Sequence, residues 1–148
     1  MEFSNFAPII EVSFGQRAEV MRPIPEFYQS VGEEGIRKLV AAHYELLKVS
    51  DAKDLFPIDD DEAFAAAKKH AADFFIQFCG GPKYFNASRG APQMVGRHAP
   101  FKITPSARKI WLETYKIALQ DVDASPEAVG SFWNYLNSFS TWMVNTPE

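Results

Sequence analysis

The sequence contains a single cysteine, Cys79, and no apolar run approaching the length of a membrane span, which needs about 18 residues. One cysteine cannot form an internal disulfide, so a reducing compartment is expected. The N-terminus lacks a basic region followed by an apolar segment, and no secretion signal is expected. Together these absences predict a cytoplasmic protein that does not associate with membranes.

Basic residues are not concentrated in any one stretch of the chain. The 15 Lys and Arg residues are mixed with 19 Asp and Glu, and the formal net charge is -4. Without a basic stripe, nucleic acid is not an expected partner. The sequence also lacks a glycine-rich phosphate loop followed by lysine, the paired cysteines of a metal site and a nucleophile elbow. It therefore indicates none of the corresponding chemistries.

Aromatic residues are abundant by contrast, at 14% of the chain with 13 Phe. A chain of 148 residues is expected to form one domain, and such a domain buries roughly two-thirds of its unfolded surface. This many rings in one small domain indicates either a dense aromatic core or a pocket for a flat apolar ligand.

The fold class follows from periodicity. Apolar residues recur at three- and four-residue spacings, and no region alternates with a period of two over a useful length, so an all-α fold is expected. Residues 1–22 show no clear period. They are expected to be an N-terminal extension of uncertain structure, ahead of a domain that spans residues 23–148.

Start and stop signals divide the rest of the chain into helices. At the later starts, a side chain able to cap the helix precedes a proline suited to its first turn. The predicted helices are residues 26–31, ending at Gly32; residues 33–50; residues 61–79; one that begins at Thr104-Pro105; and one that begins at Ser125-Pro126.

The stretch from residue 80 to 100 has little periodic signal, and only a helix of about two turns ending at His98 fits it. Long connections in compact domains are usually functional or disordered, and the embedded histidine favours function. Taken alone, a histidine is more often structural or exposed than a ligand. His98 lies in a short segment between aromatic-rich helices, and this context favours a ligand role for it. Haem needs one neutral imidazole, held on a short rigid element beside an apolar slot.

The same stretch carries a specific resemblance. Its motifs are Gly80-Gly81-Pro82, Tyr84, Arg89-Gly90, Pro92 and the block Arg97-His98-Ala99-Pro100-Phe101, followed by Ile110-Trp111-Leu112. This pattern resembles the signature of group II truncated haemoglobins, and the similarity covers roughly residues 27–145. The resemblance implies a two-over-two helical sandwich, the truncated globin fold, around haem b (iron protoporphyrin IX).

The resemblance also implies roles for individual residues. His98 matches the proximal ligand to the iron. Arg97 matches a residue that commonly meets a haem propionate, which a guanidinium binds bidentately. His70 is equally compatible with the pocket rim and with plain solvent exposure. The remaining expected haem contacts are Phe56, Ala67, Ala71, Phe74 and Phe101.

On the distal side, Tyr44 and Trp111 match the tyrosine and tryptophan of this group. Ala67 lies where other globins carry a distal histidine, so the Tyr44 O–H and the Trp111 N–H are the expected donors to a dioxygen ligand. His43 replaces the phenylalanine usual before this tyrosine. It is either a third ligand-stabilising residue or a satisfied core histidine.

The implied function is reversible binding of dioxygen, carbon monoxide and nitric oxide at a five-coordinate iron. Two hydrogen bonds to bound dioxygen would slow its release. Slow release suits conversion of nitric oxide to nitrate, or peroxidase-like turnover, better than oxygen delivery, and these reactions would require an electron donor. Two alternatives stay open: a gas or redox sensor that acts through a partner protein, and a helical interaction domain that has lost haem. The chain is expected to be a monomer or a homodimer.

Overall fold

The computed structural model describes residues 6–148 and shows a helical protein. Short 3-10 turns cover Lys53–Leu55, Leu119–Asp121 and Ser140–Met143. The described residues form no strand, and the expected all-α fold is confirmed. Within the same residues, no helix combines the length and apolarity needed to cross a membrane. The α-helices are α1 (Pro25–Leu47), α2 (Asp61–Phe78), α3 (Tyr84–Arg89), α4 (Met94–His98), α5 (Pro105–Ala118) and α6 (Pro126–Phe139).

The starts of α5 and α6 follow the predicted capping pattern. Thr104 Oγ1 accepts a hydrogen bond from Ala107 N at 3.1 Å, and Ser125 Oγ accepts one from Ala128 N at 3.1 Å. Each cap is followed by a proline in the first turn, where the missing N–H costs nothing. Local sequence alone therefore sets these two helix starts.

α1 consists of two helical segments joined at Gly32. This glycine has φ 64° and ψ -175°, a conformation that residues with a side chain rarely adopt. The predicted break between a short first helix and a longer second one is thereby confirmed. The longer segment carries the buried residues Ile36, Leu39, Val40, His43, Tyr44 and Leu47.

α3 was not expected from the sequence, which predicted irregular structure over these residues. Tertiary contacts explain the helix: Phe85 is buried, and the Gln77 side chain of α2 holds Asn86 by two hydrogen bonds. In addition, Tyr84 Oη donates to Glu33 Oε2 at 3.1 Å. A six-residue helix has too few internal bonds to persist alone, so these partners stabilise it.

The core lies between α1, α2, α5 and α6. Helix α1 packs against each of the other three, and α5 also contacts α6. At its centre, the rings of Phe27 and Phe132 stack with centroids 4.5 Å apart. A cavity lies beside this core, between α2, α5 and the short helix α4.

Residues 6–24 form an extended segment, here named the N-terminal strap, that lies along α6 and the turn after it. Along its length, backbone groups of the strap are hydrogen bonded to side chains of α6 and of the turn after it. The bonds are Trp133 Nε1 to Ala7 O, Ile10 N to Asn137 Oδ1, Ala18 N to Thr141 Oγ1, Met21 N to Ser138 Oγ and Ile24 N to Ser131 Oγ. The first five residues of the predicted extension lie outside the described part of the chain.

Candidate haem site

A cavity of about 650 Å³ lies between α1, α2, α4 and α5. This volume falls in the range of roughly 300–1,000 Å³ that ligand and cofactor sites occupy. The cavity brings together every site residue predicted from the sequence except His43: Tyr44, Phe56, Ala67, His70, Ala71, Phe74, Arg97, His98, Phe101 and Trp111.

His98 presents one free ring nitrogen. Its Nδ1 lies 2.7 Å from Met94 O, and a carbonyl only accepts, so Nδ1 carries the hydrogen. In the neutral ring with this tautomer, Nε2 carries the lone pair through which imidazole binds iron. Asn145 Nδ2 donates to His98 O at 3.2 Å and to Phe101 O at 2.8 Å, which anchors the end of α4.

The protein ligands in this cavity fit an iron that is bound in a porphyrin rather than a bare metal ion. Within residues 6–148, no group of three or more His, Cys, Asp or Glu is placed to hold a bare metal ion. One imidazole is enough for haem iron, since the porphyrin supplies the equatorial ligands. The small side chains of Ala67 and Ala71 and the rings of Phe74 and Phe139 give the cavity an apolar lining suited to such a group.

Two side chains offer hydrogen-bond donors on the wall formed by α1 and α5. Trp111 lines the cavity, and no described residue accepts a hydrogen bond from its Nε1. Tyr44 Oη lies 3.4 Å from Ala67 O, at the long limit for a hydrogen bond. Burial raises the pKa of Tyr44 to about 12, so its phenol keeps the proton at neutral pH.

His43 does not reach the cavity. Its ring is fully buried and stacks on Tyr115 with centroids 3.4 Å apart. Its Nε2 is 3.0 Å from Trp111 O and 2.9 Å from Thr114 Oγ1. Burial lowers the pKa of His43 to about 3, so the ring is neutral. The ligand-stabilising role does not fit this position, because His43 does not line the cavity. His43 lies in the core, where its Nε2 contacts Trp111 O, but it is not fully satisfied: its Nδ1 is buried and has no hydrogen-bond partner among the described residues.

His70 lies on the cavity wall rather than pointing into bulk solvent. Its Nδ1 is buried and has no hydrogen-bond partner among the described residues. Burial lowers the pKa of His70, and the positive charges of Arg89 and Lys69 lower it further. A neutral imidazole at this edge of the cavity is compatible with the rim contact expected from the sequence.

Arg97 lines the cavity but already holds the loop before α4. Its Nε donates to Pro92 O at 2.6 Å, and its Nη2 donates to Arg89 O at 2.7 Å and Ala91 O at 3.0 Å. Arg89, which the sequence analysis did not predict as a haem contact, also lines the cavity. Its exposed guanidinium has no partner among the described residues, which makes it a second candidate for a propionate.

The lining residues that the sequence did not predict include Tyr115 and Arg108. Both lie at helical spacing from Trp111, four residues after it and three before it, and therefore share its face of α5. That spacing could have identified them. The same spacing fits a plain core position for Tyr115, and a charged residue such as Arg108 is rarely buried.

Comparisons with known proteins agree with this geometry. The family model for bacterial-like globins matches residues 26–145. Group 2 truncated hemoglobin YjbI of Bacillus subtilis is 31% identical over 121 residues, which cover 82% of this chain and 89% of that protein.

Solved structures agree as well. The phosphate-bound Hell's gate globin IV has a TM-score of 0.85 at 38% identity and covers 96% of this chain and 89% of its own. The group II truncated hemoglobin of Bacillus anthracis has a TM-score of 0.76 at 27% identity, with 86% and 95% covered.

The fold and the cavity define a haem-binding globin of the two-over-two type. The chain belongs to the bacterial-like globin family, among the group II truncated haemoglobins. Its cofactor is haem b, as in the other globins of this family, and its activity is haem-based binding of diatomic gases such as dioxygen.

Proposed function

We propose that this globin retains dioxygen firmly and uses it in redox chemistry rather than delivering it. The observation that carries the proposal is the pair of donors at the cavity wall. Trp111 Nε1 has no acceptor among the described residues, and Tyr44 Oη makes only a 3.4 Å contact with Ala67 O. Both are free to donate to a negatively charged gas ligand, and such bonds contribute about 1.5–3 kcal/mol each.

The remaining roles are divided between the two sides of the cavity. His98 binds through Nε2, oriented by the hydrogen bond from its Nδ1 to Met94 O. Haem b, when bound, would supply an iron able to bind a diatomic gas. Arg97 and Arg89 would hold the propionates, and the lining rings would exclude water.

Firm retention supports the reactions expected from the sequence, conversion of nitric oxide to nitrate or peroxidase-like turnover. Both need an electron donor. The decisive experiment begins with absorption spectra of the purified protein in the ferric, ferrous and carbon monoxide-bound states. The oxygenated protein is then mixed with nitric oxide, and the nitrate that forms is measured. Rapid dioxygen release together with no nitrate would contradict the proposal.

A sensor role is the second candidate, and one observation favours it. The N-terminal strap is hydrogen bonded to α6 and to the turn after it, where Phe139 and Ser140 line the cavity. A change at the cavity could reach the strap through these residues and so reach a partner. Hydrogen exchange of strap amides, compared between the ferrous and carbon monoxide-bound protein, tests this; equal exchange in both states argues against it.

We also propose that the chain consists of an extension (residues 1–22) and a globin domain (residues 23–148). We propose a cytoplasmic location for the protein. The free thiol of Cys79 supports a reducing compartment. A monomer or homodimer is proposed for the assembly, and light scattering of the haem-loaded protein would measure it.

A further inference from the structure

Arg108 on α5 is a buried cation in the wall of the haem cavity. It is only 4% exposed, and yet it lines the cavity. Its Nε donates to Ser140 Oγ at 2.9 Å, its Nη2 to Asn137 O at 2.7 Å and Asn137 Oδ1 at 3.1 Å, and its Nη1 to Ile10 O at 2.5 Å. The whole guanidinium is thus held in one orientation.

All of these acceptors are neutral. The described residues place no carboxylate within 4.0 Å of this guanidinium, and Glu11 acts on it only at longer range. Burial lowers the pKa of Arg108 to about 10, which still leaves it charged at neutral pH. A buried charge without a counterion is costly to a fold, so its presence beside a cofactor cavity needs a reason.

The N-terminal strap closes over this charge. Asn137 Oδ1 accepts from Ile10 N at 2.9 Å, and Asn137 Nδ2 donates to Pro8 O at 2.9 Å. Together with the bond from Arg108 to Ile10 O, these contacts form a closed network across the strap, α5 and α6. Water is thereby kept from the guanidinium, and its field is weakened less than that of a surface charge.

We propose that Arg108 raises the reduction potential of the haem iron and so favours the ferrous, gas-binding state. This inference rests on the haem cavity described under the proposed function. Reduction adds one electron to the iron and lowers the positive charge of the centre by one. A fixed positive charge nearby therefore stabilises the reduced form relative to the oxidised form, and charge and burial around haem are established means of setting its potential.

The size of the effect follows from Coulomb's law. A separation on the order of 10 Å corresponds to the dimension of a cavity of about 650 Å³. At that separation, and with an effective dielectric constant of about 20, two unit charges change a one-electron equilibrium roughly tenfold. An exposed cation at the same distance is screened by water and salt and has a much smaller effect. The proposal therefore predicts a clear difference between Arg108 and its exposed neighbour Lys109.

The test is spectroelectrochemical titration of the full-length, haem-loaded protein. Arg108→Gln removes the charge and keeps hydrogen-bonding groups; Arg108→Lys keeps the charge; Lys109→Gln is the matched exposed control. For Arg108→Gln, the ferrous-to-ferric ratio at a fixed potential should fall about tenfold, a midpoint lower by about 59 mV. Arg108→Lys and Lys109→Gln should both stay close to the unmodified protein.

If Arg108→Gln does not fold, Arg108→Met decides, because it also removes the charge and places no unpaired donor in the cavity wall. It should lower the midpoint in the same direction. An unshifted midpoint in the variant that folds would overturn the proposal, as would equal shifts for Arg108→Gln and Arg108→Lys. A chain that takes up no haem contradicts the proposed function as well, whereas a haem-loaded chain with an unshifted midpoint contradicts only this inference.

Discussion

Replacing Trp111 by phenylalanine tests the distal donors most directly. The substitution removes one N–H and keeps an aromatic ring. The lost donor has no acceptor among the described residues, so no internal hydrogen bond is broken with it. The ring at this position is supported by edge contacts with Tyr115 at 4.8 Å and His43 at 5.6 Å, and these contacts remain available to phenylalanine.

The expected magnitude comes from the strength of one hydrogen bond to a charged acceptor. Such a bond contributes about 1.5–3 kcal/mol, and each 1.36 kcal/mol is a factor of about ten in rate. Trp111→Phe should therefore release dioxygen about ten to one hundred times faster. Carbon monoxide carries less negative charge when bound, so its release should change much less.

Stopped-flow displacement of each ligand from the ferrous protein measures both rates. Trp142→Phe is the matched control, because its Nε1 donates to Ala18 O at 2.7 Å and its ring does not line the haem cavity. Its dioxygen release should match that of the unmodified protein. Unchanged release from Trp111→Phe would refute the reasoning, and Tyr115 would then be the next donor to examine, since His43 lies off the cavity.

Further outcomes are expected at four other residues. Tyr44→Phe should speed dioxygen release by a similar factor in the same assay; slower release would mean that its proton goes to another residue. His98→Ala should abolish coordination of the iron by the protein, and an unchanged ferrous spectrum would exclude it as the ligand. Arg97→Ala should speed haem transfer to an acceptor globin without unfolding the chain, whereas unchanged transfer would remove it from haem retention. Because the pKa of His43 is about 3 when folded and 6.5 ordinarily, the unfolded chain binds one more proton between these values. Stability contributed by neutral His43 is thus lost as the pH falls from about 6.5 towards 3, by up to about 1.4 kcal/mol per pH unit. Denaturant unfolding at pH 6 and pH 4 should show that His43→Phe loses less free energy of unfolding between these pH values than the unmodified protein does. Equal losses in the two proteins would contradict the argument.

Much of the haem cavity could be predicted from the sequence, because its residues occur in motifs. The resemblance carried by the motifs between residues 80 and 112 implied ten of the residues that the cavity brings together. His43 could not be placed in the same way. Sequence put it beside Tyr44 on α1, but its environment depends on Trp111 and Thr114, which are 68 and 71 residues away.

By itself, the sequence determined the starts of α5 and α6, the break at Gly32 and the family. These depend on neighbouring residues: a cap and a proline, a glycine that accepts positive φ, a motif of adjacent side chains. Only the tertiary structure decided that α3 is a helix, that His43 is core and that Arg108 faces the cavity. The helix α3 needs Gln77 of α2, and Arg108 is enclosed by a strap about 100 residues earlier in the chain. Burial and hydrogen bonding across such distances arise only when the chain has folded, because no local pattern of residues encodes them.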